Sequence, residues 1–365
     1  MAAGFSLSMY PFVHLSKYQT DGNWSDDLIE KPHRTPAEEA NLPAEELNRL
    51  QAMRNSFPEL PLVNYTTQYG MGCFEGLKAF PQPDGSLKLF RPGRNAARFA
   101  RSMEGLMMPV FPAERFVDAV RRTVAANAAI GFAPVYRKEW EKTGFLDGDS
   151  VYIRPFTYSE PGIGLGLSLL PWVVTVTTPV GSYFDPDGNA KAVTTERVRA
   201  TPGGTGWIKC DANYVIPTLV KKQANKQGYM EAIFLDSRKG KYVEEGSSCN
   251  IFFRLDDDTL VTPALEDTIL PGINRMSVIQ LAGHMGVTVE ERSITIDEVM
   301  QRAVETFVTG TAAGVSYIES ITHKGATRVF NNGSMGEMTT DFLYTLKGIQ
   351  YGAKQDIFGW MEEVK

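Results

Sequence analysis

The feature that most restricts the fold is a turn-rich break, Gly181-Ser182-Tyr183-Phe184-Asp185-Pro186-Asp187-Gly188, set in a chain whose helices and strands are interspersed without a regular βαβ rhythm. Asp, Pro and Gly at this density punctuate secondary structure. Before the break, Pro36 with Glu38 and Glu39 behind it marks a capped start, and residues 36–53 read as helical. Residues 94–107 and 113–130 follow as helices, the second with Phe116, Ala119, Val120 and Val124 on one side. Residues 86–91 alternate like a strand, and residues 150–158 and 171–179 are rich in β-branched and aromatic side chains. After the break, Val193–Arg199, 231–236, 240–245, 249–254 and Thr306–Thr309 read as strands. Residues 213–227, a stretch opening at Pro271, Asp297–Val304 and 336–352 read as helices. The pattern predicts an α/β or α+β chain of two domains and not a single barrel. Residues 1–180 form one, 181–190 the linker and 191–365 the other, a division that suits 365 residues.

Composition narrows the partners. Hydrophobic residues make up 43% and charged residues 22%, enough for a real core. A net charge of −6 argues against nucleic acid or an anionic membrane surface. The three cysteines, Cys73, Cys210 and Cys249, show no paired spacing and suit a reducing compartment. With no apolar run of transmembrane length and neither a signal-peptide nor a presequence pattern at the start, the expected location is the cytoplasm. No metal site is read.

The chemistry concentrates in Gly203-Gly204-Thr205-Gly206-Trp207-Ile208-Lys209-Cys210-Asp211-Ala212-Asn213-Tyr214. A random lysine is a solvated one. Lys209, however, follows Trp207 and Ile208, which are too apolar for a solvated loop, and three glycines that permit close backbone approach. A Walker A loop is excluded, because Lys209 follows Ile and Cys210 stands where a hydroxyl is needed. Downstream, Glu244-Glu245-Gly246-Ser247-Ser248-Cys249-Asn250 offers two carboxylates on a strand, of which alternation sends only one to a given face. A lysine in tight backbone and a carboxylate followed by small residues suit pyridoxal phosphate chemistry, as one option among several. Anion donors are available at Leu270-Pro271-Gly272-Ile273-Asn274, a helix N-terminus, and at the tight turn Gly310-Thr311-Ala312-Ala313-Gly314. Arg94, Arg98 and Arg101 share one helix and cannot be separated by pattern. Arg154, set among aromatics in Tyr152-Ile153-Arg154-Pro155, needs an anion or an exit to water.

Taken in order, these segments and Tyr69-Gly70-Met71-Gly72-Cys73-Phe74-Glu75-Gly76-Leu77-Lys78-Ala79-Phe80 resemble the branched-chain amino acid aminotransferases, the class IV family with the fold-type-IV pyridoxal phosphate architecture. The likeness runs from about Tyr65 to the C-terminus; the first 60 residues match poorly, and 36–53 reads as an insertion. It implies a smaller N-terminal and a larger C-terminal domain with the pyridoxal 5'-phosphate site between them, and a homodimer. It implies that Lys209 is the Schiff-base lysine and general base, and that Glu245, before Gly246, partners the ring nitrogen. Arg98, Tyr214, Ile273, Asn274 and Thr311 are then cofactor-binding. Tyr69, Phe74, Tyr152, Tyr183, Thr311 and Ala312 are substrate-binding, and Arg154 takes the distal carboxylate of glutamate. The implied reaction moves the amino group between leucine, isoleucine or valine and 2-oxoglutarate. Asn274 replaces a common threonine or valine, Ser247-Ser248 replaces pairs such as Ala-Gly, and Ala313-Gly314-Val315-Ser316 lacks the cysteine pair of some animal members. The alternatives are other enzymes of the same fold (D-amino acid or (R)-amine transaminase, aminodeoxychorismate lyase) and a non-catalytic protein retaining the fold.

Overall fold

The computed structural model describes residues 7–57, 59–181 and 189–364, so Tyr183 and most of the expected linker lie outside the described residues. The first part carries β1 (Phe12–Lys17), β2 (Asp27–Glu30), α1 (Pro36–Ala40), α2 (Ala44–Arg54), α3 (Tyr65–Tyr69), β3 (Leu77–Pro81), β4 (Leu87–Phe90), α4 (Pro92–Gly105), α5 (Ala113–Ala129), β5 (Ser150–Tyr158) and β6 (Trp172–Val180). The second carries β7 (Lys191–Thr195), α6 (Val215–Lys226), β8 (Glu231–Leu235), β9 (Val243–Gly246), β10 (Asn250–Leu255), β11 (Leu260–Thr262), α7 (Ile273–His284), β12 (Val289–Glu291), α8 (Ile296–Arg302), β13 (Ala303–Gly310), β14 (Gly314–Tyr317), β15 (Ser320–His323), β16 (Ala326–Val329), α9 (Glu337–Gln350) and β17 (Met361–Glu363).

These strands form one seven-stranded antiparallel sheet, ordered β17-β4-β3-β5-β6-β1-β2, and two five-stranded mixed sheets, β12-β11-β10-β13-β14 and β16-β15-β7-β8-β9. We propose the domain boundary at 181–190: β1–β6 precede it, β7–β16 follow it, and β17 alone crosses back to pair with β4. Among the described residues no helix is long and apolar enough to cross a membrane.

Packing follows the periodicities. On α5 the residues Phe116, Val120, Thr123, Val124 and Asn127 are buried at helical spacing, and they seal α4 and α5 onto the seven-stranded sheet with Phe99, Met103, Val151, Ile153 and Val173. The single helical stretch expected over 36–53 is two helices. Thr35 and Glu38 close a capping box on α1, and Pro43 breaks the run before α2. The strand expected over Val193–Arg199 ends at Thr195, which leaves Arg199 free to turn inward.

Candidate active site

Lys209 is fixed by its backbone before its side chain is considered. Ile208 is 1% exposed and packs with Cys210 into the core under α4 and α5. Gly206 lets the loop approach so closely that a Cβ there would sit 2.6 Å from the Thr268 carbonyl oxygen. The Lys209 N–H donates to Ser102 Oγ at 3.0 Å and its carbonyl accepts from Phe74 N at 3.1 Å, while the backbones of Cys210 and Cys73, both free thiols, pair in an isolated antiparallel bridge. The side chain is thereby aimed into a cavity of about 960 Å³, where Nζ donates to the Tyr214 hydroxyl at 2.7 Å and lies 4.7 Å from the centre of the Phe74 ring. Burial, and then the nearby Arg98 guanidinium, lower the ammonium pKa to about 8.

Across the cavity, β9 shows the alternation that the sequence leaves open. Glu245 lines the cavity; Glu244 points to the other face, into a separate hollow beside Asp236 and Thr268. Glu245 is 3% exposed and accepts from Arg199 Nη1 at 2.7 Å, Leu270 N at 3.2 Å and Asn250 Nδ2 at 3.3 Å. Burial pushes its carboxyl up, and Arg199 and the Leu270 amide oppose that shift. Glu244, with one buried oxygen unpartnered, is pushed up to about 7 by burial.

Arg98 projects from α4 as a buried guanidinium clamped by Glu75. Nε and Nη2 donate to the two carboxylate oxygens at 2.7 and 2.8 Å, and Nη1 donates to the Pro271 carbonyl at 3.0 Å. Glu75 is fully buried and also accepts from Asn95 Nδ2 at 2.7 Å. Its burial would raise the carboxyl, but Arg98 outweighs that and holds it below the ordinary value. These three bonds leave two of the five Arg98 N–H groups uncommitted. Next to Arg98, α7 begins at Ile273 and Asn274 with no side-chain cap, so its first amides lack helical partners at the cavity wall. The turn after β13 adds Thr311, whose hydroxyl donates to the Gly76 carbonyl at 3.1 Å, and Ala312, whose carbonyl accepts from Lys78 Nζ at 2.8 Å.

On β5 the period of two places Tyr152, Arg154, Phe156 and Tyr158 along the same cavity. Arg154 donates through Nη2 to the Tyr152 hydroxyl at 2.7 Å and stacks with its guanidinium carbon 4.5 Å from the Phe74 ring centre; its Nε has no partner among the described residues. Of the residues singled out in the sequence, Phe74, Arg98, Tyr152, Arg154, Lys209, Tyr214, Glu245, Ile273, Asn274, Thr311 and Ala312 meet in this cavity. Tyr69 does not. It ends α3 where Gly70 turns left-handed (φ 66°), is 40% exposed, and accepts from Gly164 N at 3.0 Å. Tyr183 lies outside the described residues.

Three site residues escape sequence reading. Glu75 carried a signal, a lone acid in the otherwise apolar Cys73–Ala79 run beside Lys78. Arg199 carried none that separates it from Arg197, and Asp211, which also lines the cavity, looks like an ordinary helix-start residue.

The "Amino-transferase class IV" family model matches residues 72–321. A Humulus lupulus protein, "Branched-chain amino acid aminotransferase 1, mitochondrial", is 37% identical over 366 residues, covering 99% of this chain and 83% of that protein. "Branched-chain-amino-acid aminotransferase 2" of Bacillus subtilis (strain 168) is 38% identical over 304 residues, covering 81% of this chain and 80% of that protein. Among solved structures, the branched-chain aminotransferase of Thermoproteus uzoniensis with norvaline aligns at 28% identity with a TM-score of 0.72, covering 98% of this chain and 100% of that one. A family match over more than half the chain and near-complete alignment with such relatives settle its kinship: the chain belongs to the class IV aminotransferases, in the branched-chain amino acid aminotransferase group.

Proposed function

We propose that this protein transfers the amino group between leucine, isoleucine or valine and 2-oxoglutarate, with pyridoxal 5'-phosphate held at Lys209. The observation that carries the reading is a lysine amine, already lowered to about 8, aimed into a cavity whose wall holds both a buried carboxylate, Glu245, and a buried guanidinium, Arg98. The donor set fits the cofactor. Arg98, the free amides of α7 and Thr311 supply an anion cradle for the phosphate, and Arg199 Nε and Thr309 Oγ1 are buried at the cavity wall without partners among the described residues. The relatives named for branched-chain substrates, and the one solved with norvaline, support the substrate class.

The cofactor, when bound, supplies an aldehyde for amine capture and a ring that draws electrons from the substrate α-carbon. Lys209 takes and returns the α-proton as general base, and Tyr214 orients its amine. Glu245, steadied by Arg199, Leu270 N and Asn250, would hold the ring nitrogen in its protonated form. Phe74, Tyr152 and Phe156 exclude water from an aliphatic side chain, and Arg154 at the same wall takes a distal carboxylate. The test is a visible absorption spectrum of the purified protein with leucine–2-oxoglutarate and D-alanine–2-oxoglutarate assays. A chromophore, activity on L-leucine and at least ~10²-fold loss in Lys209→Ala are expected. A preference for D-alanine, or a colourless inactive protein, would point to the alternatives.

A homodimer is part of this proposal. Leu62, Ile163, Leu165 and Leu169 are 89%, 80%, 98% and 60% exposed. Bonds from Gly162 N to the Val63 carbonyl (3.1 Å) and from Gly164 N to the Tyr69 hydroxyl hold their two segments together. A joined apolar surface of this kind suits association, and sedimentation equilibrium would show it.

A further inference from the structure

Asp211 stands on the cavity wall with no role in the reaction outlined above. It opens the 3₁₀ turn Asp211–Tyr214, two residues from Lys209, and its N–H donates to the Gly72 carbonyl at 2.9 Å. A Cβ at Gly72 would lie 2.3 Å from Asp211 Oδ2, so the glycine makes room for this carboxylate. Among the described residues the carboxylate has no hydrogen-bond donor; the charge that acts on it is Arg154 from β5. The other titratable neighbour is the Cys73 thiol, which burial keeps protonated. The side packed by α3 contributes Thr66, which is uncharged. Lys209, Arg98 and Glu245 line other parts of the same cavity.

Asp211 therefore offers half-buried Arg154 a counter-charge through space, without a direct bond, when an aliphatic side chain fills the pocket, which lessens the cost of leaving that cation unpaired. A substrate with a distal carboxylate changes this. It claims Arg154, and two carboxylates then compete for one guanidinium at a carboxyl that burial already holds up, so keeping both ionised costs more. We propose that Asp211 is a specificity-determining residue: binding of a substrate with a distal carboxylate is coupled to protonation of Asp211, and binding of an aliphatic substrate is not. The inference rests on the transaminase reading above. Burial already raises the Asp211 carboxyl to about 6, with Arg154 opposing, so the proton is within reach near neutrality. The sign follows. Above pH 6 the free enzyme lacks the proton and the dicarboxylate complex carries it, so affinity for acidic substrates falls as pH rises, by up to about tenfold per unit, while affinity for aliphatic ones does not share that slope.

The test is isothermal titration of the holoenzyme at about pH 7.5 with glutarate and with 4-methylpentanoate, each in two buffers of different ionisation enthalpy. Protons moved by the groups common to both ligands cancel in the difference. Glutarate should take up close to one proton more than 4-methylpentanoate. In Asp211→Asn the difference should vanish, and glutarate should bind at least ~10-fold more tightly than to the parent enzyme at about pH 8. Equal uptake for the two ligands in the parent enzyme overturns the coupling, whether or not the variant folds. A difference that survives in Asp211→Asn assigns the proton elsewhere and also overturns it. Leucine–2-oxoglutarate turnover of the same preparation separates the two layers. Turnover with equal proton counts refutes Asp211 alone, and absence of turnover refutes the functional reading and this inference together.

Discussion

At the scale of single residues, Lys209 shows how burial prepares a nucleophile. A solvated lysine with a pKa near 10.4 is about 0.04% free amine at neutral pH; with a pKa of about 8, Lys209 gains roughly two decades. The rate at which apoenzyme captures pyridoxal phosphate should therefore rise about tenfold per pH unit below pH ~8 and level off above it. Stopped-flow absorbance would follow it, and a rate still climbing beyond pH ~10 would mean that Lys209 behaves as a solvated lysine. Glu244 and Glu245 give a second test at this scale. β9 sends them to opposite faces, and only Glu245 reaches the cavity. Glu245→Gln should lower turnover by ~10² or more, while Glu244→Gln, which changes an acid outside the cavity with one oxygen unpartnered among the described residues, should leave it within a few-fold. Equal small effects would take Glu245 out of the mechanism. Strand alternation alone narrows this pair to one residue per face, and only the family resemblance, through Gly246, picks Glu245; Arg199 and Asp211 lie still further beyond local pattern, because their roles come from contacts across the cavity.

At the scale of elements, legibility tracks periodicity. α5 is readable because one side is buried and the pattern shows it, whereas β5 and β6, buried on both faces over much of their length, are readable from their β-branched and aromatic residues. β1 alternates Val13 and Leu15 with His14 and Ser16, but over only four residues and with the polar pair buried too, and β17 is three residues long; neither is read as a strand from the sequence. The start of α7 is legible as Pro-Gly before a helix, yet the reason for Gly272 is tertiary. Its φ of −70° suits any residue, but a Cβ there would lie 2.0 Å from Asn250 Oδ1. Asn250 in turn donates to the Leu270 carbonyl at 3.0 Å and to Glu245. Gly272→Ala should displace Asn250 and disturb both the anion-binding amides and Glu245, weakening cofactor binding by about 1–3 kcal/mol, or roughly ten- to a hundredfold. Gly283→Ala, on the open face of the same helix with nothing within 4 Å of its Cβ, is the control and should be neutral or slightly stabilising. Fluorescence titration of the two apoenzymes decides; equal affinities would show that the close approach at Gly272 is dispensable.

At the scale of the whole molecule, the cavity exists because two parts of the chain meet. Phe74, Arg98 and Arg154 come from before the 181–190 segment, and Lys209, Glu245 and α7 from after it. What holds the parts together is one apolar core shared by Phe80, Phe90, Trp140 and Phe145 from the first and Phe252, Phe307, Phe342 and Leu346 from the second, with Trp360 at its edge. Trp360 is 3% exposed, stacks on Phe358 at 4.4 Å between centroids, meets Phe90 edge-on at 5.7 Å, and donates through Nε1 to Gln280 of α7 at 3.2 Å. Its carbonyl accepts from Arg91 N at 2.7 Å, which ties the chain leading into β17 to the start of α4. A core common to both parts predicts that they unfold together. Calorimetry of the apoprotein should show one transition, and Trp360→Ala, outside the cavity lining, should lower the stability behind that whole transition by the ~3–5 kcal/mol typical of deleting a buried tryptophan. Trp360→Phe should recover much of the loss, because the stacking survives and only the bond to Gln280 is gone. Two resolved transitions, with Trp360→Ala shifting one and leaving the other in place, would show that the parts are independent bodies and that the cavity between them is held by the cofactor instead of by the core.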